Sequence, residues 1–256
     1  MKRITLKRTL IAAGGFSLAL AVPAQASVIQ SWEFNDAPGT LLSDAENSVA
    51  GGSSWNEDIG GSEVTADGVF RIRRDPPEGE FSSWAVSQIT DPGNFSLSMN
   101  VAGWNFTGDE DENVRFGFTD GVNNVITAQL RIFRTAEDEV SLIGNALGDG
   151  ETISSVSAFT ASQDTPIRFV LNYDSVNHTY EVGYQPENES FVSIGSAATD
   201  PDRGPGAIRL SVLGDYSDTG EFFDIDEISL VPEPSTYALV FGGLVGALAL
   251  WRRRRE

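Results

Sequence analysis

The run Phe95-Ser96-Leu97-Ser98-Met99-Asn100-Val101 alternates apolar and polar residues without a break. Because successive side chains of a β-strand point to opposite faces, this alternation predicts a half-buried strand with its apolar residues on one face. The same pattern returns in five further segments, which are Val114–Phe118, Ile126–Ile132, Ile167–Tyr173, Tyr180–Tyr184 and Ile208–Val212.

Six less regular segments also favour strands, and turn-forming Asp, Gly and Pro residues separate the segments. They are Val28–Phe34, Val69–Arg73, Trp84–Ile89, Val140–Ile143, Phe191–Ile194 and Phe222–Leu230. No stretch of residues 27–231 keeps a helical period for three turns. The pattern predicts one all-β domain over 27–231, an antiparallel two-sheet sandwich, in which 35–63 is a surface loop with short irregular strands.

The last predicted strand changes parity halfway along its length. Phe223 and Ile225 share one face, whereas Ile228 and Leu230 fall on the other. A β-bulge near Asp226 would return all four side chains to the core, so we predict one there.

The predicted domain is strongly acidic. Residues 27–231 hold nine arginines, no lysine and 35 acidic residues, and the whole chain has no cysteine. Nucleic acid needs a basic face for its phosphates and is therefore an improbable partner. Divalent cations, or simple solubility, suit such a surface better, and disulfides do not contribute to stability.

The amino terminus is typical of a secretory signal peptide. Lys2, Arg3, Lys7 and Arg8 precede an apolar run over Leu10–Val22. Ala24 and Ala26 fit the small-x-small cleavage rule, so we predict a signal peptide over 1–26 and a mature chain that begins at Ser27. A retained helical anchor is the alternative.

The carboxyl terminus combines three features in order: Pro232-Glu233-Pro234, an uncharged run over Tyr237–Trp251, and Arg252, Arg253, Arg254 and Arg255. The prolines cannot continue a helix from upstream. The apolar run predicts a short transmembrane helix over 236–251, and the four arginines should stay on the cytoplasmic side. A C-terminal core helix is the alternative.

This order of features resembles the PEP-CTERM sorting signal of Gram-negative bacteria, here over 232–256. The resemblance implies export through the inner membrane, processing by an exosortase near Pro232–Pro234, and an extracellular or cell-surface location beside exopolysaccharide. It implies a sorting route and no biochemical activity, and it leaves open whether the processed protein is anchored or released.

The two ends of the predicted domain carry a second resemblance. Ser31–Ala45 is similar to the first strand and loop of concanavalin-like, laminin-G-like jelly rolls, and Phe222–Leu230 is similar to their final strand. In these folds the first and last strands commonly lie side by side. The resemblance implies a jelly roll. Separately, we assign Trp32 and Phe34 to the core.

Catalysis has little support in the sequence. The single histidine, His178, lies in a predicted hairpin turn, which disfavours nucleophilic triads and zinc hydrolysis. Hydrolysis of glycosides needs only carboxylates. A catalytic row of acids around Asp224 would, however, need its first acid two residues before Asp224, and Phe222 occupies that position. We therefore expect a protein that is not an enzyme, with a carboxylate-dependent glycan hydrolase as the weakest alternative.

Two groups of acidic residues are candidate ligands for a structural calcium ion, because calcium prefers oxygen ligands. One is the acidic loop with Asp109 and Asp111. The other joins Glu33 and Asp36 to Asp224 and Asp226, and it requires the first and last strands to be adjacent. Solvated surface acids are the alternative in both places.

Glycan binding needs exposed aromatic faces beside hydrogen-bonding groups. Trp55, in the polar early loop, and Trp104, at a strand end, are the candidates. The sequence thus favours a sorted, polysaccharide-associated or glycan-binding protein, and the alternative is a structural or adhesive surface protein without a glycan ligand.

Overall fold

The computed structural model describes ten stretches of the chain. They are 28–59, 62–72, 83–89, 93–105, 113–123, 125–136, 139–147, 150–160, 166–213 and 222–232. The predicted signal peptide, the helix over 236–251, the terminal arginines and the acidic loop with Asp109 and Asp111 lie outside them. Among the described residues, no helix has the length and apolar character needed to cross a membrane.

The described stretches contain fourteen strands and one 3-10 turn at Leu42–Asp44. The strands are β1 Gln30–Trp32, β2 Glu63–Val64, β3 Phe70–Ile72, β4 Ser83–Gln88, β5 Phe95–Asn105, β6 Asn113–Thr119, β7 Ile126–Ala136, β8 Glu139–Asn145, β9 Ile153–Thr160, β10 Ile167–Asp174, β11 Thr179–Pro186, β12 Val192–Ala198, β13 Ala207–Leu213 and β14 Phe222–Pro232. All twelve predicted segments overlap one of these strands, and β2 and β9 are additional.

The strands form two antiparallel sheets that pack as a jelly-roll sandwich. The larger sheet has the order β12-β11-β10-β5-β14-β3-β2, with β1 also paired to β14, and the smaller sheet has the order β4-β13-β6-β7-β8-β9. Gln30 pairs with Leu230 and Trp32 with Ile228, so the first and last strands are neighbours, as the resemblance implied.

The core lies between the inner faces of the sheets. The apolar residues of the alternating runs, such as Leu97, Phe116 and Leu210, belong to one buried cluster. Across the interface, the rings of Phe118 and Tyr173 meet edge to face with centroids 6.1 Å apart. Trp32 and Phe34 are buried in this cluster, which confirms their predicted core position.

The predicted bulge in β14 is present. Ile225 pairs with Val101 of β5 and Glu227 pairs with Asn100, so Asp226 is an extra residue on β14. Phe223, Ile225, Ile228 and Leu230 are consequently all buried. The bulge directs Asp226 toward solvent, at the edge of the site described next.

Candidate functional site: a polar pocket on the larger sheet

The carboxylates predicted to bind calcium between the first and last strands are not assembled into a site. Asp224 is 6% exposed, and both its carboxylate oxygens accept hydrogen bonds from the Arg71 guanidinium. These hydrogen bonds raise the pKa of Arg71. A cation at Asp224 would have to displace a bidentate ion pair, so the prediction that Asp224 is a calcium ligand is wrong.

The other predicted ligands have separate surroundings. Glu33 accepts a hydrogen bond from Asn35 at 3.3 Å, and Asp36 accepts one from the backbone of Glu46 at 3.4 Å. Asp226 is exposed on the outer face of the larger sheet. Within the described stretches, no three acidic or histidine side chains are close enough to share a metal ion.

The two tryptophans predicted to bind glycan lie in the core. Trp55 and Trp104 are each 3% exposed. Trp55 packs against Trp32 with ring centroids 4.8 Å apart. A buried ring cannot present its face to a sugar, so both assignments are corrected to core residues.

His178 occupies the turn between β10 and β11, as predicted. It is half-buried and has a positive φ of 51°. Its carbonyl accepts a hydrogen bond from the backbone of Thr199 at 2.8 Å. The residue therefore shapes the hairpin.

A pocket of about 460 Å³ opens where β5, β10 and β11 meet on the outer face of the larger sheet. Amide, guanidinium and carboxylate groups line it, from Asn100, Arg168, Gln185, Glu187, Asn188 and Asp226. Strand alternation explains this chemistry. Asn100, Arg168 and Gln185 are the polar members of alternating runs whose apolar members face the core.

Hydrogen bonds across the strands hold the pocket floor in place. Asn100 donates to Glu227 at 2.9 Å, and Arg168 donates to the hydroxyl of Ser98 at 2.9 Å. The Ser98 hydroxyl also lies 2.8 Å from the hydroxyl of Ser229. The side chains of Asn100 and Arg168 are therefore oriented before any ligand arrives.

An exposed aromatic ring lies beside the pocket. Phe191 is 37% exposed, and its ring lies over Gly183 of β11 so closely that a Cβ at Gly183 would come within 2.6 Å of it. Gly183 and Gln185 point to the same face of β11, about 7 Å apart along the strand. The ring of Phe191 thus lies outside the lining of the pocket, about 7 Å along β11 from Gln185, which does line it.

The sequence pattern places Phe191 only in a strand. The signal for its exposure is the glycine at position 183, which leaves room for the ring on the adjacent strand. That signal depends on the pairing of β11 with β12, in which Gly183 lies opposite Ser193.

Comparisons with known sequences locate one motif. Residues 230–255 match the family model of the PEP-CTERM protein-sorting motif. No curated protein sequence matches the chain.

Solved structures share the fold at low identity. The CBM2 module of the evolved Dit protein of Lactobacillus casei BL23 phage J-1 is 11% identical, with a TM-score of 0.55 over 81% of this chain and 96% of that one. Lectin UEA-II complexed with galactose is 10% identical, with a TM-score of 0.50 over 80% of this chain and 99% of that one.

An enzyme also shares the fold over part of its length. Xylan β-1,4-xylosidase from Bacillus halodurans C-125 is 11% identical, with a TM-score of 0.52 over 78% of this chain and 38% of that one. At these identities the likeness concerns the fold alone.

The fold and the sorting motif together describe the chain as a jelly-roll protein with a PEP-CTERM sorting motif. The motif indicates that the protein is exported, anchored in the membrane before exosortase processing, and then displayed at the cell surface.

Proposed function

We propose that the protein is a non-catalytic surface protein that binds extracellular polysaccharide through the pocket on its larger sheet. The sorting motif delivers the domain to the compartment where such polysaccharide accumulates. The fold is also that of a CBM2 module and of a lectin complexed with galactose, which is in keeping with a glycan ligand.

The observation that carries this proposal is the position of Phe191 beside the pocket. An aromatic ring stacks on the apolar face of a sugar, while amide and guanidinium groups bond to its hydroxyls. Phe191 supplies the ring, and Asn100, Arg168 and Gln185 supply the hydrogen-bonding groups. Because Asn100 and Arg168 are already held by Glu227 and Ser98, little conformational entropy is lost on binding.

Two carboxylates in the same pocket favour a weak glycan hydrolase as the second candidate. Asp226 and Glu187 both line it, and glycoside hydrolysis uses a pair of carboxyl groups. One of the pair must act as an acid, which usually requires burial in an apolar setting. Both residues are exposed, so we propose binding and not hydrolysis.

Retention of the full-length chain, kept in mild detergent, on exopolysaccharide from the producing organism tests the proposal. We expect the parent chain to be retained and the Phe191→Ala variant to bind about tenfold more weakly, the loss expected when about 1.4 kcal/mol of stacking is removed. Leu147→Ala is the matched control, because it removes an exposed apolar side chain outside the pocket.

The outcomes separate the candidates. Equal retention of the parent and Phe191→Ala would overturn the assignment of the pocket. Failure of the parent to bind would favour a structural or adhesive protein without a glycan ligand. Release of reducing ends by the parent, and its loss in Asp226→Asn, would identify a hydrolase.

A further inference from the structure

The sorting motif overlaps the last strand of the domain. The family model matches the chain from Leu230 onward, whereas β14 continues to Pro232. Each of the three shared residues has a partner on β5: Leu230 pairs with Leu97, Val231 with Ser96 and Pro232 with Phe95. The segment that marks the protein for processing therefore begins inside the larger sheet.

Leu230 is firmly held at the start of this overlap. Its side chain is fully buried in the core. On one side Leu230 pairs with Leu97 of β5, and on the other it pairs with Gln30 of β1. Its carbonyl also accepts a hydrogen bond from the backbone N–H of Ile29 at 3.0 Å. Both backbone edges of Leu230 are thus occupied, and another protein cannot bind this residue while the sheet is closed.

Val231 and Pro232 are held less strongly. Both are only half-buried, and the pairing of β14 with β1 ends at Leu230. Pro232 has no backbone N–H to donate to the sheet. A strand end with few buried contacts opens at a lower cost than the core does. The overlap therefore consists of one strongly held residue followed by a weakly held end.

We propose that the exosortase takes the sorting motif only after Val231 and Pro232 separate from β5, so that opening of this strand end limits processing. Enzymes that cleave a chain act on accessible segments, and their rate follows the population of the open form when opening is fast. Leu230 sets the limit of the opening, because its separation would expose a buried apolar side chain. This inference concerns sorting and does not depend on the glycan pocket.

A disulfide across the strand end tests the proposal. Val231 and Ser96 lie opposite each other, and opposed residues of antiparallel strands have Cα atoms about 4.5–5.5 Å apart, which suits a disulfide. Val231→Cys combined with Ser96→Cys should therefore lock the end closed. The chain has no cysteine of its own that would compete for pairing.

The substrate is the folded, oxidised full-length chain in mild detergent, mixed with membranes of the producing organism as the source of exosortase. Removal of the tail is followed by the change in mass. We expect the locked variant to be processed at least about tenfold more slowly than the parent, because its end cannot open. Reductant should restore the rate. The single variants Val231→Cys and Ser96→Cys are the controls for the altered side chains and should match the parent.

A second disulfide is the matched control for the position of the lock. Ser98 and Ser229 are opposed on the same two strands, and their hydroxyl oxygens lie 2.8 Å apart. Ser98→Cys combined with Ser229→Cys joins β5 to β14 two residues upstream and leaves Val231 and Pro232 free to separate. Its tail should be removed at the rate of the parent.

A spacer provides an independent variant. Insertion of Gly-Ser-Gly-Ser between Val231 and Pro232 places the motif's prolines beyond the paired strand. We expect this variant to be processed faster than the parent, and the disulfide between positions 96 and 231 to have no effect on it.

Three results would overturn the proposal. The first is removal of the tail from the oxidised 96/231 variant at the parent's rate, which would show that the end need not open. The second is equal slowing by the 98/229 disulfide, which would show that opening is not confined to the strand end. The third is the persistence of free thiols in the 96/231 variant, which would contradict the pairing of Val231 with Ser96.

Discussion

Arg71 and Asp224 face each other across β3 and β14 in a bidentate ion pair. Nε of Arg71 lies 2.6 Å from Oδ1 of Asp224, and Nη2 lies 2.5 Å from Oδ2. The guanidinium also lies over the ring of Phe222, 4.6 Å from its centroid. β3 is only three residues long, and this ion pair adds a side-chain link to its backbone pairing with β14.

Removing the arginine should destabilise the domain. Arg71→Ala would leave a nearly buried carboxylate without its counter-ion, which costs about 3 kcal/mol. Denaturant unfolding measures the change. The pair of Arg203 and Asp200 is the control: Asp200 keeps a hydrogen bond from the backbone of Asp202 when the arginine is removed, so Arg203→Ala should cost less, about 1 kcal/mol. Equal losses in the two variants would contradict the structural role given to Arg71.

The bulge at Asp226 should be indispensable. Deletion of this residue would shift Ile228 and Leu230 to the outer face, because a one-residue slip inverts every side chain beyond it. We expect the deletion to abolish cooperative unfolding. Deletion of Val122, an exposed residue of the loop between β6 and β7, is the control and should be tolerated. A stable Asp226 deletion variant would show that the bulge does not set the register.

The turn after β10 should weaken in acid. Partial burial acts to raise the pKa of Asp174, but hydrogen bonds from Asn177, Val176 and Asn94 outweigh it and hold that pKa below its usual value. A carboxyl whose pKa is lower in the folded state stabilises the fold above about pH 4, its unfolded value, and loses this effect as the pH falls through the folded value. The difference in melting temperature between pH 6 and pH 3 should therefore shrink in Asp174→Asn. An unchanged difference would contradict this assignment.

Calcium binding by the acidic loop that contains Asp109 and Asp111 stays a prediction. A structural ion raises the melting temperature by binding only the folded state. We expect calcium to raise the melting temperature of the parent relative to chelator, and the rise to vanish in the Asp109→Asn, Asp111→Asn double variant. Asp226→Asn is the control and should keep the response. Identical curves for the parent would remove calcium as a structural component.

Local patterns predicted the strands because alternation is a property of neighbouring residues. The runs at Phe95–Val101 and Ile167–Tyr173 became the centre of the larger sheet, and the change of parity after Ile225 revealed the bulge. The strand Ile153–Thr160 was missed because its many serines and alanine weaken the contrast between its two faces.

Long-range contacts decided the residues that sequence reasoning placed wrongly. Trp55 lies in a polar segment, but it packs on Trp32, 23 positions earlier in the chain. Asp224 faces Arg71 because β3 pairs with β14. Local sequence patterns do not predict which strands pair. The exposure of Phe191 depends in the same way on a glycine of the adjacent strand.

Retention on the exopolysaccharide of the producing organism, measured side by side for the parent, Phe191→Ala and Leu147→Ala in mild detergent, tests the central claim most directly. Binding by the parent and Leu147→Ala, with about tenfold weaker binding by Phe191→Ala, is the predicted result. Equal binding by all three proteins, or no binding by the parent, would contradict the assignment of the pocket beside Phe191 as a glycan site.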